Sequence, residues 1–183
     1  MSGRRAAGGL LAAVLVVANL GARTQESSDW VTLLDGSTIE GWLQTGSAKW
    51  RTVDGAIEGT SGPGFLVTPR AYRDFDLYVE VWVASDANSG VFFRAEDAKE
   101  IVPTSAYEVN LFDHRPDPKY RTGAIVDVAE PSAKVDVGDR WNTVEVQARG
   151  EHLKVAINGV STVDASDGKH VSGPIALQAA TGT

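Results

Sequence analysis

The stretch DFDLYVEVWVA, residues 74–84, decides the fold. Leu77, Val79, Val81 and Val83 alternate with Asp76, Tyr78, Glu80 and Trp82. A period of two over this length is the signature of a strand with one face in a core. The same alternation continues outward. In SGVFFRAE (89–96), Val91 and Phe93 oppose Phe92 and Arg94. In YEVNLFDH (107–114), Tyr107, Val109 and Leu111 oppose Glu108, Asn110 and Phe112.

Further strand signals are separated by turn residues. DWVTLLDG (29–36) opens the series, GFLVTP (64–69) and TGAIVDV (122–128) read as short strands, and residues 174–178 close it. Two hairpins are marked by dipeptides suited to tight turns with positive φ: Asp54-Gly55 within WRTVDGAIEG and Asn158-Gly159 within HLKVAINGV. Few segments after residue 28 show helical periodicity, and βαβ alternation is not evident. About ten strands without crossover helices predict an all-β fold, a two-sheet antiparallel jelly-roll β-sandwich.

The chain has 183 residues, 43% hydrophobic and 22% charged, ordinary values for one globular domain. Its N-terminus reads differently. Arg4 and Arg5 precede an apolar run over 10–17, and small residues follow at Gly21 and Ala22. That is the layout of a signal peptide over residues 1–22, with an uncleaved N-terminal anchor as the alternative. Residues 23–29 read as a disordered lead-in, and 30–183 as a single sandwich domain. Without residues 1–22 the basic count falls from 17 to 15 against 24 acids, a net charge of −9. Basic residues this few and scattered are a poor match for nucleic acid. With no cysteine, neither disulfides nor a lipid-modified N-terminal Cys can form. Serine-hydrolase, nucleotide, zinc-protease and dinucleotide motifs are also missing.

The ordered set DGSTIEGW (35–42), W..VDGAIEG (50–59), residues 74–96, YEVNLFDHRPDP (107–118), TGAIVDVAEP (122–131), WNTVEVQARG with EHLKVAINGV (141–160) and GPIALQ (173–178) resembles the 3-keto-disaccharide hydrolase domain family. The resemblance implies a concanavalin A-like fold and a secreted or periplasmic bacterial domain. It also implies an oligosaccharide or glycoside partner; the acidic charge argues against nucleic acid, and the short apolar run against stable membrane insertion after signal cleavage. Some members split glycosides whose C3 hydroxyl is already a ketone. In the family, the LQ of the last matched strand is commonly followed by His and a further strand. Here Ala179 and Ala180 follow Gln178, so the sandwich is expected to lack its last strand.

A C3 ketone acidifies the hydrogen on C2. Proton removal gives an enolate that expels the oxygen on C1, so the site needs a base, a donor for the enolate oxygen and an acid. If the three strands are neighbours, Glu80, Arg94, Glu108 and Asn110 share one face. Glu108, Arg94 and His114 are then the catalytic candidates, and Glu80, Trp82, Asn110 and Asp113 the substrate-binding ones. The plainer alternative is an Arg–Glu cross-strand pair that only solubilises the sheet. A divalent metal, if one binds, would take Glu108, Asp113 and His114. A loop hydrogen-bond pair explains Asp113 and His114 equally. Phe92 and Phe112 fit either a sugar face or a packed layer under a loop. Trp30, Trp42, Trp50 and Trp141 are expected in the core. A non-catalytic, lectin-like carbohydrate-binding module is the alternative function, because the fold serves both roles.

Overall fold

The structure, a computed structural model, describes residues 10–12, 16–19, 30–60 and 62–180. Every strand ladder among them is antiparallel.

Strands β1 (Leu10–Ala12) and β2 (Val16–Asn19) come from the apolar run near the N-terminus. Then follow β3 (Val31–Leu34), β4 (Leu43–Gly46), β5 (Lys49–Val53), β6 (Ala56–Thr60) and β7 (Gly64–Val67). The long β8 (Phe75–Val83), then β9 (Ser89–Phe93) and β10 (Tyr107–Leu111), form the middle of the chain. The last are β11 (Arg140–Arg149), β12 (His152–Ile157), β13 (Val160–Ser166) and β14 (Ala176–Ala179).

They assemble into a five-stranded sheet ordered β10-β9-β14-β7-β4, a six-stranded sheet ordered β13-β12-β11-β8-β2-β3, and a small sheet β1-β6-β5. The expected β-sandwich is therefore present. Its core lies between the two large sheets, where Leu77, Val79, Val81 and Val83 of β8 meet Val91, Phe93, Tyr107, Val109 and Leu111. These are the inward positions of the alternating pattern. Both anticipated turns form, with φ of 50° and 79° at Asp54-Gly55 and 52° and 76° at Asn158-Gly159. Positive φ at both central residues matches the twist of the flanking strands.

TGAIVDV is not a regular strand. Residues 123–126 run beside β10 and satisfy its outer edge through Asn110 N–H to Ala124 O, Gly123 N–H to Asn110 O and Val126 N–H to Glu108 O. Asp127 then turns away with φ 59°. Covering an edge in this way removes a template for unwanted pairing. Trp50 is buried and Trp42 packs partly against the core, as expected, but Trp30 and Trp141 are 47% and 49% exposed. Of the expected leader, only residues 10–12 and 16–19 are described; the lead-in 23–29 lies outside the described residues. The backbone of β2 pairs with β8 on one side and β3 on the other. No described helix is long and apolar enough to cross a membrane.

Candidate functional site

β9 pairs with β10 on one side and with β14 on the other, which sets the geometry of the candidate site. The register places Asn110 opposite Gly90, and Gln178 opposite Gly90 from the far side. Phe65 of β7 lies opposite Gln178. Strands are spaced by roughly 4.8 Å, so Phe65, Gln178, Gly90 and Asn110 make a row roughly 14 Å long on the outer face of the five-stranded sheet. One register step along, Glu108 lies opposite Phe92, and Phe92 opposite Ala176.

That outer face is divided. At one end Phe92, Val67 and Ala176 pack with Ala95, Ile101 and Ala106 in a second apolar cluster. Phe92 is thus the packed layer beneath a loop, with Phe65 edge-on to it at 5.0 Å. At the other end the floor is glycine and amides. A Cβ on Gly90 would stand 3.1 Å from Glu108 Oε1, so the carboxyl leans over the bare backbone of Gly90. Asn110 Nδ2 donates to Tyr120 O, which fixes its amide and leaves Oδ1 turned elsewhere. Asn110 Oδ1, Gln178 Oε1 and Asn88 Oδ1 are all buried and accept no hydrogen bond from described residues. By alternation Asn88 falls on the same side of β9 as Gly90. Native interiors rarely leave such groups unpaired, and two of these three belong to the residues that flank Gly90.

Glu108 is 8% exposed, and its carboxyl takes no hydrogen bond among the described residues. Burial pushes its carboxyl up to about 7; Arg115 pulls it back and Asp127 adds to the rise. A buried carboxyl that titrates near neutrality is the state in which a proton acceptor works best.

The other sequence-derived candidates do not gather here. Glu80 and Trp82 lie on β8, in the opposite sheet, where Glu80 lines a shallow cavity with Trp141, Asn142, Thr143 and Asn158. Arg94 follows the last residue of β9 with φ 53°, which turns its side chain out of the alternation. Its buried guanidinium donates to the carbonyls of Arg73, Gly150 and His170 and lies 3.4 Å from Asp74. It ties loops at one end of the sandwich, and the cation whose charge draws the Glu108 carboxyl down is Arg115 instead. Asp113 is buried, but its carboxylate is consumed by Thr122 Oγ1 and the N–H groups of Val137 and Gly138. His114 is exposed. The proposed metal trio therefore does not assemble, and no group of three metal-binding side chains occurs among the described residues. Phe112 is half-buried, with the Arg115 guanidinium 5.9 Å above its ring.

Gly90, Asn88, Gln178 and Phe65 escaped the sequence reading. Gln178 could have been found: it is the one polar outward residue in the apolar segment GPIALQ.

The site is thus a β-sandwich face with unpaired amide oxygens beside a partly buried aromatic ring. Residues 29–183 match the model of the 3-keto-alpha-glucoside-1,2-lyase-like domain. The chain belongs to this family. A 3-keto-disaccharide hydrolase of Bacteroides thetaiotaomicron is 27% identical over 121 residues, covering 54% of this chain and 42% of that protein. The chain thus spans about two fifths of the length of this relative. Among solved structures, a candidate glycosyl hydrolase from Parabacteroides distasonis superposes with TM-score 0.72 at 17% identity, covering 83% of this chain and 88% of that one. A carbohydrate binding module from Bacillus subtilis superposes with TM-score 0.61 at 19% identity, covering 78% and 89%. At these identities the structural likenesses establish the fold alone.

Proposed function

We propose that this domain cleaves 3-keto-glycosides by elimination across C1 and C2, with Glu108 as the base. The observation that carries the reading is the Glu108 carboxyl, raised by burial and leaning over Gly90 between the Asn110 and Gln178 amide oxygens. The ionised carboxylate takes the C2 proton. The electron pair left on C2 delocalises into the C3 carbonyl as an enolate. Collapse of the enolate breaks the C1–O bond, the leaving oxygen takes a proton, and a 1,2-unsaturated 3-ketone is released. Water added across that double bond completes a net hydrolysis. Arg115 supplies the positive field over the developing enolate, a role the sequence reading gave to Arg94. His114, exposed on the loop after β10, is available as the acid for the leaving oxygen.

Asn110 and Gln178 accept hydroxyl protons and hold the ring. Phe65 offers an apolar surface at the far end of the row. Export to the periplasm or medium, with removal of residues 1–22, is proposed on the leader-like pattern of the sequence. N-terminal sequencing of the secreted product tests it.

A second reading, non-catalytic carbohydrate binding, is favoured by the same amide oxygens, which hold hydroxyls without needing chemistry. Incubation with a 3-keto-glucoside separates the two. Release of the aglycone by wild type and not by Glu108→Gln supports catalysis. Saturable binding by both proteins without bond cleavage supports the module.

A further inference from the structure

Beyond the end of β10, the strand that carries Glu108, is a cavity of about 440 Å³ whose wall carries Arg115, Arg121, Lys134, Arg140 and His114. Four permanent cations converge there on a chain whose formal net charge is −7. Two acids share the wall. Asp113 spends its charge on three hydrogen-bond donors, as described above. Asp136 serves two cations at once, with Arg121 at 2.8 Å from one oxygen and Lys134 at 3.4 Å from the other. Arg115 and Arg140 form no ion pair among the described residues. Arg140 is held by the Asp136 carbonyl and by Asn142 Oδ1, and Arg115 stacks over Phe112 and Tyr120. Both guanidinium groups are thus positioned without being neutralised. The charge of Arg115 also reaches Glu108 and draws its carboxyl down, which couples the cavity electrostatically to the sugar floor.

We propose that this cavity binds an anionic group carried by the glycoside, a sugar carboxylate or a sulfate ester, and so selects acidic over neutral sugars. The inference deepens the carbohydrate reading of the Glu108 face and rests on it. Guanidinium groups present a planar fork of donors that matches a carboxylate or sulfate edge, and such charge-assisted bonds are the strong ones. Ligand binding also gives the two unpaired cations a counter-charge, an attraction that added salt screens.

The test is calorimetric titration of the full chain with four ligands: 3-keto methyl α-glucoside, its C6 carboxylate, its C6 sulfate, and inorganic sulfate. At low salt one or both acidic sugars bind at least about tenfold more tightly than the neutral one, and the preference shrinks as ionic strength rises. The ratio between carboxylate and sulfate identifies the preferred anion. Lys134→Gln combined with Arg140→Gln, at exposed positions that leave the core untouched, abolishes the preference and spares neutral-sugar binding. Equal affinity for neutral and acidic sugars overturns the inference while leaving the carbohydrate reading intact. If no sugar binds but inorganic sulfate does, in a manner lost in the double variant, the carbohydrate reading fails and the anion cavity stands. If nothing binds, both fail.

Discussion

Asn110 and Gln178 stand on either side of Gly90, one from β10 and one from β14, and both direct a buried amide oxygen that no described protein group satisfies. A buried polar group without a partner costs about 1–3 kcal/mol. Sugar hydroxyls donate to such oxygens and offset that cost on binding. On the proposed function, the unpaired amides are a stability deficit that sugar binding offsets.

Gln178→Leu tests this directly. Replacing an unpaired buried amide with an apolar group of similar size leaves the melting temperature unchanged or raises it. Affinity for the 3-keto-glycoside falls by about tenfold, the loss of one to two hydrogen bonds. Calorimetry with thermal unfolding reads both quantities in one series.

Gly90→Ala closes the floor. The added methyl would sit 3.1 Å from Glu108 Oε1, 3.2 Å from Phe92 Cε2 and 3.2 Å from Val109 O. Crowding of this degree costs about 1–3 kcal/mol in a packed setting. The carboxyl must move off its position, so turnover is lost beyond what the drop in stability explains. A variant with wild-type turnover would contradict the placement of the site.

The pH dependence has a definite sign. Burial raises Glu108 from 4.5 to about 7 in the folded state. The folded protein therefore holds this proton more tightly than the unfolded chain, and the group's contribution to stability is full below about pH 4.5 and lost as pH rises through about 7. Glu108→Gln removes that loss, so the variant should be more stable than wild type at pH 8, by on the order of 2–3 kcal/mol, and show a flatter profile between pH 5 and 8. Activity runs the other way. A base must be ionised, so kcat/KM of wild type rises with pH through about 7, and the variant is inactive at every pH.

Arg94→Met separates scaffold from catalysis. Its guanidinium satisfies the carbonyls of Arg73, Gly150 and His170. Losing them leaves buried acceptors unpaired, a destabilisation of about 3 kcal/mol. Denaturant unfolding should show this loss, while kcat of the fraction that stays folded is unchanged. A large fall in kcat without a fall in stability would restore Arg94 to the site.

Removing residues 1–22 takes β1 and β2 from their sheets. The β8 edge that pairs with Val17–Asn19 is then open, and open edges recruit other strands. Sedimentation of a chain starting at Arg23 should show self-association that the full chain does not. A monodisperse monomer would mean that the edge is covered by other means.

Much of this was legible in the sequence, for a local reason. A period of two states which residues share a face of one strand, and it placed Glu108 and Asn110 together correctly. It says nothing about which strands are neighbours, so Glu80 and Trp82 were placed beside Glu108 although β8 lies in the other sheet. It also stops at a strand end. Arg94 departs through a positive φ, and Asp113 is captured by N–H groups more than twenty residues away. Gln178 joins the site from a strand some seventy residues beyond Asn110, a pairing that no local pattern encodes. Trp141 is exposed because β11 presents it on the outer face of the six-stranded sheet, and Trp30 because it lies just before β3, beside the outward residues Tyr78, Glu145 and Gln147.

The central claim is that Glu108 abstracts a proton from C2 of a bound 3-keto-glycoside. It is tested most directly by incubating a C2-deuterated 3-keto-glucoside in ordinary water and following both aglycone release and deuterium loss. Wild type is expected to release the aglycone with a primary isotope effect, and Glu108→Gln at equal folded concentration to show neither release nor exchange. Release at an undiminished rate by Glu108→Gln, or binding of the sugar with no loss of deuterium by wild type, would contradict it.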